Sequence, residues 1–250
     1  MCILLTWIGA GNACAQEILR IATGEFPPYY SESESDNGET LNIVKQAFAQ
    51  MNIKVEYGFF PWNRSYELAK RNDWDASCCW HYTPERARDF NYSEVVRAAD
   101  IVFFHLKQQP FNWQSLQDLT DKRIGVRALF TYGKEFEAAK QEGKLWVEQA
   151  PTDEINFRKL LGGRIDLLPI DKNAGYYLLS KEFQPEKARQ VVHYSKPLIR
   201  YRLRLFVSKT HKQSRNIIDT FNEGLKRLKA SGKYNQYFAE LEKAEDPINQ

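Results

Sequence analysis

The sequence predicts an α/β fold built from two successive units, each a mostly parallel sheet flanked by helices, and three observations carry that reading. Between residues 18 and 80, strand and helix patterns alternate in the order β-α-β-α-β, which implies a parallel sheet covered on both faces. The same rhythm restarts near residue 123 and continues to about residue 180. No Gly- or Ser-rich linker separates the two stretches, and a chain of 250 residues can bury one full core or two medium ones.

The elements follow in order. Residues 18–23 alternate as a strand should, and Gly24-Glu25-Phe26-Pro27-Pro28-Tyr29-Tyr30 is a stiff aromatic loop. Residues 31–39 form a polar turn. Thr40 is expected to cap a helix to about Met51, with Leu41, Val44, Phe48 and Met51 on one face. Residues 53–60 are a second strand, with Val55, Tyr57 and Phe59 on one side. Pro61-Trp62-Asn63-Arg64 turns into a helix with Asn63 at its N-cap. The apolar run 76–80 is a buried strand. Thr83-Pro84-Glu85-Arg86 then starts a helix, with Thr as N-cap, Pro at the first helical position and an acid in the first turn.

A long strand follows at 98–106. Residues 116–119 lead into a strand at 123–126, and Thr131 is expected to cap a helix to about residue 142. A short strand at 145–147 precedes a helix at 153–161, which Gly162-Gly163 ends. An apolar strand at 165–170 runs into Asp171 and a helix to about residue 180. Further strands lie at 191–193 and 203–207. Residues 214–231 are amphipathic, with Ile217, Ile218, Phe221, Leu225 and Leu228 in one stripe, and a last short helix holds Tyr234, Tyr237 and Leu241.

Composition narrows the function. The formal net charge is +3, and the basic residues are interspersed with acids. The cluster Lys226-Arg227-Lys229 sits beside apolar residues of a predicted helix, so it reads as a solvated face and no nucleic-acid partner is expected. The chain has no G-x-S-x-G, phosphate-loop or H-E-x-x-H motif, and its four histidines are scattered. No catalytic residue, metal site or cofactor is expected.

The N-terminus carries a compartment signal. Residues 1–10 are apolar and Ala13-Cys14-Ala15 supplies a small-residue cleavage site, so residues 1–15 read as a signal peptide, although no Lys or Arg precedes the apolar run. A buried N-terminal element is the competing reading, opposed by Gly9, Gly11 and Asn12. A lipid anchor at Cys14 is weaker, because Gly11 stands where a Leu-like residue is wanted. No later segment has the roughly 20 consecutive apolar residues that span a bilayer. Cys78 and Cys79 remain after cleavage. They read as two small buried residues of a strand, with a strained vicinal disulfide as the alternative.

The order of a strand, T-P-E-R and then F-x-Y-S at residues 76–93 resembles the extracellular solute-binding proteins of the amino-acid ABC-transporter type, solute-binding family 3. Further markers lie at 39–51, 61–64, 116–126, 162–171, 202–208 and 224–238. The resemblance implies a two-lobed type II periplasmic-binding fold joined by two crossing segments, near 101–106 and 202–207. Lobe 1 would be 16–105 and 203–250, and lobe 2 would be 106–202. It also implies a periplasmic monomer that captures a small polar, amino-acid-like carboxylate between its lobes and presents it to a membrane ABC permease. The same fold hosts a periplasmic dehydratase for prephenate-like acids and ligand sensors for separate signalling partners, and both stay as alternatives.

The site residues follow from that resemblance. Arg86 matches the arginine that grips a ligand carboxylate through two parallel hydrogen bonds; its competing reading is a surface pair with Glu85 or Asp89. Asp171 matches the second-lobe acid that receives an ammonium, and it can also cap the helix at Lys172. Phe26 and Trp62 occupy two aromatic wall positions, where core packing is the alternative. Tyr29, Trp80 and Tyr82 extend the wall, and Arg127 adds a positive charge. His81 is read either as a pH-sensitive contact or as a packed histidine. Two departures argue against a standard α-amino acid: Cys79 and His81 replace a Gly-x-Thr pattern, and Leu129-Phe130 replace a Gly-Ser/Thr pair whose glycine admits close backbone approach. A modified amino acid, a small peptide, a polyamine-like cation or an aromatic acid stays open.

Overall fold

The computed structural model describes residues 17–128 and 130–237. The expected signal peptide, Leu129 and the end of the last short helix lie outside the described residues. In chain order the elements are β1 (Ile18–Thr23), α1 (Glu39–Ala49), β2 (Lys54–Phe59), α2 (Trp62–Lys70), β3 (Ala76–His81), α3 (Arg86–Asp89), β4 (Phe90–Leu106), β5 (Arg123–Arg127), α4 (Lys134–Gln141), β6 (Trp146–Ala150), α5 (Asp153–Leu161), β7 (Leu168–Asp171), α6 (Lys172–Glu182), α7 (Pro185–Ala188), β8 (Val191–His193), β9 (Ile199–Ser208) and α8 (Ser214–Ala230).

One seven-stranded sheet runs β2-β1-β3-β9-β4-β7, with β8 also on β4, and β5-β6 is a separate pair. The pairs β1-β2, β1-β3 and β5-β6 are parallel, as the alternating pattern predicts. The antiparallel ribbon β4-β9 connects the two halves, in register from Phe90 opposite Ser208 to Ile101 opposite Ile199. Strand β4 therefore begins eight residues before the expected 98, and β9 four before 203. Polar residues such as Asn91, Ser93 and Arg202 hide this pairing from a hydrophobicity pattern, and it exists only because the two distant strands meet. The ladder shifts between Tyr92 and Val95 and again between Val95 and Arg97. Such irregularities break the alternation of faces, and Val96 and Arg97 are indeed both buried though adjacent.

Three helix starts differ from expectation. Helix α1 follows Gly38, whose φ of 88° and tight contact with the Pro28 carbonyl suit only glycine, and Thr40 lies buried inside its first turn. Helix α2 begins at Trp62 behind Pro61, one residue before Asn63. Helix α4 waits for Gly133 at φ 96°, and the Thr131 carbonyl instead accepts the Tyr201 hydroxyl at 2.6 Å. The Thr152 hydroxyl caps α5 by accepting the Ile155 amide, a cap the sequence reading did not single out.

Cys78 and Cys79 are joined as a vicinal disulfide rather than standing as two buried thiols. The β3-β9 register breaks between Ser77 and Trp80, which relaxes the rule that neighbouring side chains take opposite faces.

The amphipathic α8 packs on α1, where Phe48 meets Phe221 at 5.2 Å between ring centroids. Gly224 sits against the α1 backbone: a Cβ there would lie 2.0 Å from the Ala47 carbonyl oxygen. Gly224→Ala is expected to push the helices apart and lower unfolding free energy by about 1–3 kcal/mol. A denaturation midpoint equal to that of the wild type would refute the close approach.

Candidate functional site

The site residues come from strand ends and the loops behind them. At the end of β3, the Thr83 hydroxyl accepts the Arg86 amide at 3.2 Å and sets the start of α3. The Arg86 guanidinium lies 4.8 Å from the Trp80 ring centroid and donates to the His81 carbonyl oxygen at 3.3 Å. Its Nη1 also lies 3.3 Å from His81 Nε2. Burial lowers the Arg86 pKa from the ordinary arginine value, yet a guanidinium stays charged at neutral pH. Among the described residues no carboxylate pairs with it, so the surface-pair reading with Glu85 or Asp89 does not hold. Asp89 pairs with Lys70 at 2.8 Å instead.

Burial, followed by the Arg86 charge, pushes His81 down to about 4. It is neutral at pH 7, and the network assigns its Nε2 as acceptor toward Arg86. A histidine with a depressed folded pKa stabilises above its unfolded value of about 6.5 and loses that contribution as pH falls toward 4. Between pH 6.5 and 4 the wild type is therefore expected to lose stability relative to His81→Gln, by at most about 3 kcal/mol. Parallel pH–melting curves for the two proteins contradict this.

Aromatic contacts lead away from Arg86 on two sides. On one, Trp80 meets Trp62 at 5.2 Å, Trp62 meets Tyr30 at 5.8 Å, and Tyr30 meets Phe26 at 5.8 Å. Trp62 lies flat over Gly24, where a Cβ would come within 2.4 Å of its ring, and the buried Ser65 hydroxyl holds α2 to the Thr23 carbonyl at 2.7 Å. On the other side, His81 stacks on Tyr201 at 4.6 Å and Tyr201 meets Phe130 at 6.2 Å. The two paths converge on a small cavity lined by Phe26, Arg127, Phe130, Tyr132, Asp153 and Asp171. Its volume is about 10 Å³, room for a single water at most. Phe26, Arg127 and Asp171 thus line one cavity, Trp62 and His81 connect to it through ring contacts, Arg86 packs beside His81, and Trp80 is a core residue stacked on Phe206. Exposed Tyr82 packs on Tyr92, apart from this lining. A larger hollow of about 290 Å³ beside His105, Phe111 and Lys122 contains none of the predicted residues.

Asp171 does cap α6, accepting Asn173 and Ala174 amides at 3.1 and 3.0 Å. It is not a free acceptor, however. Its Oδ1 takes the Tyr29 hydroxyl at 2.6 Å, and its Oδ2 takes Arg97 Nη2 at 3.0 Å, with both charged side chains 3% exposed. Asp171 is therefore held in a buried pair with Arg97, a partner that the sequence reading did not give it. The Arg97 guanidinium also sits 3.3 Å from the Tyr29 ring centroid, so Tyr29 lies beneath the site as a support. Burial works against the Arg97 charge, but its electrostatic neighbours Tyr29, Asp171 and Tyr30 outweigh that and raise its pKa. Nearby Glu39 is pushed up to about 7 by burial, against the pull of Arg97. Arg127 lies 3.6 Å from Asp153, whose carboxyl burial pushes up to about 6.

Sequence reasoning missed Arg97, Glu39, Asp153 and Tyr132. Arg97 had a signal: a lone cation inside V-V-R-A-A-D-I-V must find a partner if the strand is buried. The others lack one, since each reaches the site only through tertiary packing.

An aromatic seam with several guanidinium groups, set where two α/β units share one ribbon, defines a ligand-binding protein of the two-lobed kind. The chain belongs to the bacterial extracellular solute-binding proteins, family 3, whose sequence pattern matches residues 19–240. Solved structures agree on the fold. A histidine kinase sensor domain similar to periplasmic binding proteins shares 18% identity over 90% of this chain and 96% of that one, with a TM-score of 0.72. An ancestral arginine-binding protein bound to arginine shares 19% over 90% and 97%, with a TM-score of 0.71. The second substrate-binding domain of Lactococcus lactis GlnP, in its open conformation, shares 17% over 91% and 96%, with a TM-score of 0.68. No curated protein sequence matches the chain.

Proposed function

We propose that this protein is a periplasmic receptor that captures a small carboxylate ligand between its lobes, with Arg86 as the carboxylate-binding residue, and hands it to a membrane ABC permease. The supporting observation is the half-buried Arg86 guanidinium, stacked on Trp80 with no carboxylate partner among the described residues. Phe26 and Trp62 form the wall, Trp80 backs the Arg86 guanidinium, His81 orients Arg86 as a neutral acceptor, and Arg127 supplies a second cation from the other lobe. Binding and release involve no covalent change, and the monomer is the working unit.

The small cavity implies motion. A ligand larger than water must part the lobes about the β4-β9 ribbon, and only the reclosed state lets both lobes touch it. Ligand binding then stabilises the closed form by mass action.

A thermal-shift screen over amino acids, opines, polyamines and aromatic acids tests this. A carboxylate present at 100 times its Kd should stabilise the protein by about 2.7 kcal/mol. If polyamines or neutral sugars raise the melting point and no carboxylate does, the reading is wrong. Ligand-driven closure would also serve a sensor, a reading the likeness to a kinase sensor domain supports. Co-purification with a permease separates the two.

A further inference from the structure

We infer that the ligand is a carboxylate without an ammonium group beside it, an organic acid with an apolar body, and that Arg97 is the residue that excludes the ammonium. This inference rests on the carboxylate-receptor reading above and narrows its ligand class.

Three donors converge on Asp171 Oδ1, the Tyr29 hydroxyl and two α6 amides, and the Arg97 guanidinium takes Oδ2. Arg97 already fills the role of a cation facing this acid. The other acid of the cavity, Asp153, is largely buried and faces Arg127 at 3.6 Å. Glu39 lies within electrostatic reach of the same Arg97. Each carboxylate lining the cavity thus already faces a guanidinium, and burying a further cation without a dedicated partner is costly. Arg86 shows the converse: among the described residues no carboxylate forms an ion pair with it, although the Glu85 charge lies within electrostatic reach. A bound anion completes this charge set, whereas a zwitterion adds a positive charge with nothing to meet it. Phe26 lines the cavity and the Trp62 ring is only partly buried, and both offer area to an apolar body.

The test is calorimetric titration of the full chain with the common amino acids, each beside its des-amino carboxylic acid, for example L-phenylalanine beside 3-phenylpropanoate and L-leucine beside 4-methylpentanoate. The expected result is binding of at least one des-amino acid, at least 100-fold tighter than its amino-acid twin. A zwitterion that binds as tightly as its twin, or tighter, overturns this inference and leaves carboxylate capture standing. No binding in either series overturns carboxylate capture itself, and the inference with it. Arg97→Gln, checked for folding by circular dichroism, should shift the ratio at least tenfold toward the zwitterion, because Asp171 is released. Tyr29→Phe removes one donor, keeps the ion pair and should shift the ratio the same way by less. An unchanged ratio in folded variants removes Arg97 from the assignment.

Discussion

Arg86→Ala abolishes most of the affinity for the carboxylate ligand, by about 100-fold or more in titration calorimetry. Two charge-assisted hydrogen bonds contribute about 1.5–3 kcal/mol each, and every 1.4 kcal/mol is a factor of ten. Arg86→Lys keeps the charge, loses the planar fork and should recover only part of the loss. The melting point should hardly move, because the guanidinium anchors no acid of the fold and its stacking on Trp80 is half-exposed. That contrast separates a ligand contact from a structural one. Equal affinity in Arg86→Ala and the wild type would remove Arg86 from the site.

Asp171→Ala acts on stability instead. It strands the buried Arg97 charge, deprives the Tyr29 hydroxyl of its acceptor and removes the cap of α6 in one step. Breaking a buried pair by removing one partner costs about 3–5 kcal/mol, and loss of a cap adds about 1 kcal/mol. For a domain of this size the melting point should fall by about 10 °C or more. A double variant, Arg97→Met with Asp171→Leu, leaves no stranded charge and should recover part of the loss. The coupling between the two sites is read from the double-mutant cycle. A fall below about 1 kcal/mol in Asp171→Ala would show that the buried pair contributes little to stability. The two predictions are linked through the geometry: Arg97 is held by a buried acid, whereas Arg86 forms no ion pair among the described residues.

Much of the fold was legible because local chemistry wrote it. The cap at Thr83, the stop at Gly162-Gly163 and the apolar stripe of α8 are short-range signals, and the structure follows all three. Glycine-led helix starts were harder. At Gly38 and Gly133 a threonine two residues away, at 40 or 131, offered a plain capping signal, but backbone conformation at φ near +90° decided the start. The candidate site was less legible still. Phe26, Arg127 and Asp171 line one cavity, yet the contacts of Asp171 depend on a residue that the sequence pattern did not single out.

The sequence by itself determined the class of fold, the order of its elements and a family of residues set on strand ends. These depend on interactions within a few residues, where caps, turns and hydrophobic periodicity act directly on the backbone. Only the tertiary structure decided that Asp171 belongs to Arg97 and Tyr29, partners 74 and 142 residues away, and that Arg86 forms no ion pair among the described residues. Buried charges take whatever counter-charge the folded chain brings within reach, and a linear pattern carries no record of which distant residue that is.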